Sequence, residues 1–468
     1  MNLVMMKKGI GLVALIILTC SGYSQKTASF TTADYVRALK HATDVMVNDA
    51  TSPVAAARYY AYINLAANET DAIFDSRHPH FIGIVKGLNN LTIPDSITKN
   101  SDPELAVILA LYKSASRLLP SGLLLKKNID SLTNVARQRK VSSKKINITV
   151  AFVDLLVNQV MQYAMADGFV RLSGYRKFTP LQGDEYWQPT APGFMSAIEP
   201  YWQTLRTFML DSCSQFAGDP PHKYSTDTST LFFKELREVY DISKKLSKQQ
   251  AAIANFWDCN PFALQQVGHL EFGLKKISPG GHWMGITGIA CKKQKLPLSK
   301  TAYVHAMVSI GIADAFISCW NNKYKYSRVR PVTAIKKLID RSWSPLLQTP
   351  PFPEYTSGHS VISTTASTIL TYLFGESFSF NDDTEVEFGL PARKFNSFSL
   401  ASNEAAISRL YGGIHFRDAI ENGVKEGEQI GRFVITRGPG KAAINNSVGI
   451  LRSNINNDQQ HAASIHEK

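Results

Sequence analysis

The sequence lacks any alternating apolar–polar run long enough to build a sheet, which argues against a β-sandwich or barrel. It has only five cysteines in 468 residues, with no CxxC pair and no zinc-ligand spacing. That composition excludes a small disulfide-stapled fold and a zinc finger. Despite a formal net charge of +13, no Lys/Arg block is interleaved with aromatics, so nucleic acid is not the expected partner. No apolar run after residue 25 reads as long enough to cross a bilayer, and no integral membrane segment is expected in the mature chain. No short repeat is present. What remains is an ordinary globular balance, 44% hydrophobic and 19% charged. The chain is long enough for one large domain or two packed units.

The first residues read as an export signal. Lys7 and Lys8 precede an apolar stretch over 9–18, and the small residues Ser21, Gly22 and Ser24 follow. A positive start, a short apolar core and a small-residue exit predict a signal peptide over 1–24. The stretch is shorter than the ~20 residues of a spanning helix. The mature chain is therefore expected to be periplasmic or secreted, in an oxidising compartment. Cys213, Cys259, Cys291 and Cys319 remain there, either as one or two disulfides or as buried thiols.

Apolar residues recur at three- and four-residue intervals over 34–74, 106–118, 146–166, 231–246, 249–256 and 302–320. This period predicts helices, with a break at Ser52-Pro53. Glycine and proline cluster over 180–200, 278–288 and 345–353, which predicts loops. The fold class is therefore all-α, a helical bundle or two packed bundles. An N-terminal helical region over 25–245 precedes a catalytic helical core over 246–437. The polar tail over 438–468 is expected to be disordered.

Chemistry concentrates in three basic patches of the last third. Lys323 and Arg330-Pro331 form the first, with Trp320 on the face of Lys323. Arg330 offers a planar fork for two oxygens and Lys323 a mobile point charge; Lys325 and Arg328 read as a solvated basic stretch. The second patch, Thr356-Ser357-Gly358-His359, follows a stiff Pro350-Pro351-Phe352-Pro353 loop and opens an apolar helix. A helix start presents free N–H groups and the positive end of the dipole. His359 is placed to move a proton there; a plain N-cap by Thr356 or Ser357 is the simpler reading. In the third patch, Arg409 and His415 are six residues apart, on different faces of a straight helix. Gly412-Gly413 between them can break the helix and let both converge. Together the patches suit a tetrahedral oxyanion.

These patches resemble the signature of the vanadium-dependent haloperoxidases and type 2 phosphatidic acid phosphatases, which form one superfamily. Lys323 to Arg330-Pro331, Ser357-Gly358-His359, and Ser408-Arg409 through Gly413 to His415 stand in its order and spacing. The resemblance covers roughly residues 300–440 and implies the following roles. His415 would bond directly to vanadium or phosphorus. Lys323, Arg330 and Arg409 would neutralise the oxygens, Ser357 and the Gly358 amide would hydrogen-bond to them, and His359 would be the acid/base. Two positions depart from the pattern. Thr356 replaces a proline, and Asp418 lies three residues after His415 where the family places its aspartate four on. The second departure leaves open which group orients the imidazole.

The resemblance implies two chemistries. A haloperoxidase would hold vanadate on His415 and turn hydrogen peroxide and halide into hypohalous acid, with Lys323 polarising the bound peroxide. An acid phosphatase would form a phosphohistidine from a phosphomonoester. Trp320 and Phe352 resemble the pocket wall of the haloperoxidase branch, and export disfavours the membrane-embedded lipid phosphatases. The expected function is an exported vanadate-dependent haloperoxidase acting on iodide or bromide. A soluble periplasmic phosphatase is the alternative.

Overall fold

The structure, a computed structural model, describes residues 29–439 apart from 262, 268 and 273–275; the side chains of 265–267 and 269–272 are also left undescribed. The predicted signal peptide and most of the polar tail therefore lie outside the described residues. The fold is helical. The first helices are α1 (Thr32–Asn48), α2 (Pro53–Phe74), the short α3 (Asp95–Thr98), α4 (Pro103–Leu118), α5 (Lys126–Gln138) and α6 (Ser143–Met165). After the loop over 180–200 come α7 (Leu231–Lys244), α8 (Lys248–Phe256) and α9 (Pro279–Lys293). The last third holds α10 (Leu298–Tyr326), α11 (Pro331–Leu338), α12 (Gly358–Phe374), α13 (Phe398–Tyr411) and α14 (Arg417–Arg437).

Several starts follow from local sequence. Ser52 caps α2 by accepting from Ala55 N, and Pro53 sits at the first helical position, where its missing N–H costs nothing. The same device corrects one expectation. Residues 278–288 are not a loop: Ser278 caps, Pro279 opens α9, and Gly280, Gly281 and Gly288 lie within it. A Cβ on Gly281 would sit 2.6 Å from Ile277 and 2.9 Å from the Tyr60 hydroxyl. Those glycines serve close helix packing rather than a turn. Pro331 likewise opens α11.

Two short antiparallel hairpins also form, β1 (Leu264–Val267) with β2 (His269–Phe272) and β3 (Phe380–Asp382) with β4 (Arg393–Phe395). Strands of three or four residues are too short for a period-two pattern to show in sequence.

Helix α10 packs on α2 on one side and on α12 on the other. By length and composition, α10 and the segment Ser143–Gly174 are apolar enough to cross a membrane, contrary to the sequence expectation. The apolar window of α10 is wholly enclosed by protein and that of Ser143–Gly174 half enclosed, so core burial accounts for the first. Helices α12 and α14 approach closely through Gly423, Gly427 and Gly431; a Cβ on Gly427 would lie 2.4 Å from the Val361 carbonyl. This contact holds the start of α12 beside the start of α14. The four described cysteines are free thiols, three of them buried.

Candidate active site

The three patches meet where α10, α12 and α13 end or begin. Lys323 lies in the last turn of α10, and Arg330 is the N-cap of α11. Ser357 caps α12 by accepting from Ser360 N at 3.4 Å. That bond uses a lone pair and leaves the hydroxyl proton free for a ligand oxygen. Arg409 is in the last turn of α13, which ends at Tyr411. Gly413 then takes φ +74°, a conformation glycine adopts without steric cost. This turn swings His415 back to the pocket just before α14 starts at Arg417.

His415 is the best-defined group. Its Nδ1 lies 2.9 Å from Glu354 Oε1. A carboxylate only accepts, so Nδ1 carries the proton and Nε2 keeps a lone pair. Arg330 Nη1 donates to that lone pair at 3.1 Å and to the Ile414 carbonyl at 2.8 Å. Burial, then Arg330, Lys323 and Arg409, push the His415 pKa well below the usual value. The imidazole is neutral and nucleophilic at neutral pH.

Glu354 is the group that sequence reading missed. It is fully buried; Oε1 also accepts from Phe416 N at 2.9 Å and Oε2 from Arg328 at 3.3 Å. Burial raises its pKa, while Arg328 and Arg330 pull it back, since neighbouring guanidinium groups favour the ionised form. Asp418 does something else. It binds the Arg328 guanidinium and accepts from His222 N at 3.0 Å. Arg328 is thus not solvated: it is 4% exposed and also faces Glu235 at 3.5 Å. Lys325 is exposed, as expected. Thr356, in the place of the signature proline, donates its hydroxyl to Glu426 at 2.7 Å.

His359 lines the same cavity as His415. Burial, Arg409 and His415 lower its pKa well below the usual value, and it hydrogen-bonds to the Trp257 backbone. Its Nε2 is buried with no partner. Arg330 Nη2 is likewise buried and unpaired, and an orphaned guanidinium nitrogen is costly without a ligand. Arg409 spends Nε on Ser408 Oγ at 2.9 Å and Nη2 on the Ala254 carbonyl at 3.3 Å.

A cavity of ≈ 40 Å³ lies here, lined among others by Trp320, Phe352, Gly358, His359, Arg409 and His415. Trp320 and Phe352 pack at 5.0 Å between ring centroids. Asp258, Cys259 and Asn260 add a further wall. Lys323, Arg330 and Ser357 are not among the lining residues. The three Lys323 hydrogens are directed at the carbonyls of Pro353, Glu354 and Thr356, at 3.1, 3.1 and 2.6 Å. Lys323 therefore acts as a buried positive charge, its pKa pushed down to about 8 by burial. A larger groove of ≈ 470 Å³ opens beside α1 and α9, but it holds none of these groups. Chemistry rather than size locates the site.

A family model, the second helical-bundle domain of VCPO, matches residues 303–439. The chain is similar to the crystal structure of a bacterial vanadium-dependent iodoperoxidase, with 41% identity and a TM-score of 0.83 over 88% of this chain and 97% of that one. The chain belongs to the vanadium-dependent haloperoxidase family. A bacterial vanadium-dependent chloroperoxidase in its apo form shares the fold, with 17% identity and a TM-score of 0.62 over 83% of this chain and 95% of that one. Nothing matches among the curated proteins. The two structural matches extend well beyond the motif region, so the N-terminal helices belong to the haloperoxidase fold as well. The haloperoxidase-type site fits a tetrahedral oxyanion on His415 Nε2. The lone pair, the two orphaned nitrogens and the buried cations are what such a group requires.

Proposed function

We propose that this chain is an exported haloperoxidase that holds vanadate on His415 and oxidises iodide, or bromide, with hydrogen peroxide. The observation that carries the reading is His415 itself. Its tautomer is set by Glu354, its Nε2 lone pair faces Arg330 Nη1 at 3.1 Å beside the buried, unpaired Arg330 Nη2, and it lines an aromatic-walled cavity. The 41% identity to an iodoperoxidase supports iodide as the preferred halide. The positive start and apolar stretch over 9–18 support export.

Bound vanadate would activate hydrogen peroxide toward attack by halide, the net change being H₂O₂ + I⁻ + H⁺ → HOI + H₂O. Lys323, Arg330 and Arg409 would balance its negative oxygens, with the Ser357 hydroxyl and the α12 N-terminus donating hydrogen bonds. The reaction consumes a proton, and His359 Nε2 is the atom placed to deliver it. An anion beside His359 raises its pKa from the low value of the free site, so the proton is loaded when the site is filled. Trp320 and Phe352 keep bulk water from the cavity, where a soft halide would approach. The halide assignment is tested by comparing kcat/KM for iodide, bromide and chloride on vanadate-loaded protein. Iodide should lead, and a larger value for chloride would refute the assignment.

A further inference from the structure

A second cluster of potential ligands stands behind the cavity wall. Cys259, His282 and Glu385 are 2%, 0% and 1% exposed. They come from the segment after α8, from α9 and from the turn after β3, so no sequence spacing announces them. Glu385 Oε1 lies 3.2 Å from His282 Nδ1, Cys259 Sγ 3.4 Å from the same nitrogen, and Cys259 Sγ 3.8 Å from Glu385 Oε1.

We propose that these three side chains form a binding site for a divalent zinc-like cation. Three features carry it. Tetrahedral zinc, with bonds of about 2.0–2.3 Å, sets ligand–ligand edges of roughly 3.4–3.6 Å. The three observed edges lie within about 0.2 Å of that range. Second, Nδ1 has one bonding direction, yet it is shared between sulfur and oxygen. A hydrogen bond satisfies one of them; a cation at the centre satisfies all three. Third, His282 Nε2 lies 2.8 Å from Asp382 Oδ2, and Asp382 Oδ1 accepts from Thr384 N and Oγ1 at 3.1 and 2.7 Å. A carboxylate held this way fixes the imidazole tautomer and aims Nδ1 at the cluster, the usual support of a metal-bound histidine. A thiolate, an imidazole and a carboxylate suit zinc rather than magnesium or calcium.

The site would be structural, and it bears on the catalytic pocket. Cys259 lines the cavity. Trp257 stacks on the His282 ring at 4.6 Å and 17°, and the Trp257 backbone bonds His359. A cation there ties the wall over 257–260 to α9 and keeps the His359 partner in place. The inference does not depend on the haloperoxidase reading.

The test uses the full mature chain purified without vanadate. Metal content is measured, the protein is stripped with a chelator, and Co²⁺ is titrated in as a spectroscopic stand-in. One bound equivalent with thiolate-to-cobalt charge-transfer absorption is expected. Cys259→Ser should lose that absorption, and Asp382→Asn should weaken binding about 10–100-fold. Added Zn²⁺ should raise the thermal midpoint of the stripped wild-type chain. Wild-type protein that binds no cation stoichiometrically, or Co²⁺ absorption without charge transfer, overturns the proposal. Because the wild-type spectrum decides alone, a variant that fails to fold does not leave the matter open.

Discussion

Replacing Glu354 by glutamine tests the electrostatic design of the site with little change in shape. Wild-type Oε1 accepts from His415 Nδ1 and Phe416 N, both at 2.9 Å, and Oε2 accepts from Arg328 at 3.3 Å. An amide offers one acceptor oxygen and one donor nitrogen. If the oxygen keeps His415 and Phe416, the NH₂ faces the Arg328 guanidinium, donor against donor. If it turns round, the His415 Nδ1 proton has no acceptor and the opposite tautomer is favoured. Either way His415 loses the negative charge that makes Nε2 a better ligand. Loss of such a supporting carboxylate costs about 10–100-fold in affinity, or about 1.4–2.7 kcal/mol. Arg328 keeps Asp418 and Glu235, so the cost in stability falls below the 3–5 kcal/mol or so of an isolated broken buried pair. The assay is calorimetric titration of metal-free protein with orthovanadate, with the thermal midpoint measured alongside. Asp418→Asn is the control: it should lower the midpoint and leave vanadate affinity within about threefold, since Asp418 binds Arg328 and the His222 backbone. If Glu354→Gln binds vanadate like wild type while Asp418→Asn loses it, the assignment of the orienting group is wrong.

His359→Ala should lower turnover by about 10²–10⁴-fold yet keep vanadate bound, as read by single-turnover kinetics beside equilibrium titration. Lys323 has its pKa pushed down to about 8 by burial, and a bound anion raises it again. Binding therefore takes up a proton above about pH 8, and affinity attributable to this charge falls as pH rises through that value. The ratio of wild-type to Lys323→Met affinity, measured across pH, should be flat below about 8 and shrink above it; a ratio that grows contradicts the charge assignment. Gly427→Ala forces a methyl group to 2.4 Å from the Val361 carbonyl and should cost about 1–3 kcal/mol in denaturant melts.

The sequence was most legible where one physical rule acted alone. The apolar period of 302–320 and the Ser-Gly-His helix start gave α10 and α12 within a few residues. The Gly412-Gly413 break correctly predicted that Arg409 and His415 converge. Rules in competition misled. Glycines in 278–288 read as a loop, although a proline at the first helical position and close packing on Tyr60 make them a helix. Arg328 read as solvated because nothing nearby in sequence shows that Glu235, Glu354 and Asp418 meet it from three distant segments. Glu354 was hidden for the same reason. Its position after Pro353 looks like loop filler, and only the fold brings it under His415. Lys323 was expected to grip the oxyanion, whereas its hydrogens are aimed at loop carbonyls and it does not line the cavity.

His415 is proposed to carry vanadate for oxidation rather than a phosphoryl group for hydrolysis. The most direct measurement adds orthovanadate to metal-free protein and follows triiodide formation from iodide and hydrogen peroxide, with phosphate release from an aryl phosphate followed in parallel. Triiodide should appear only with vanadate and vanish in His415→Ala. Phosphate release that vanadate inhibits, with no triiodide formed, would contradict the account.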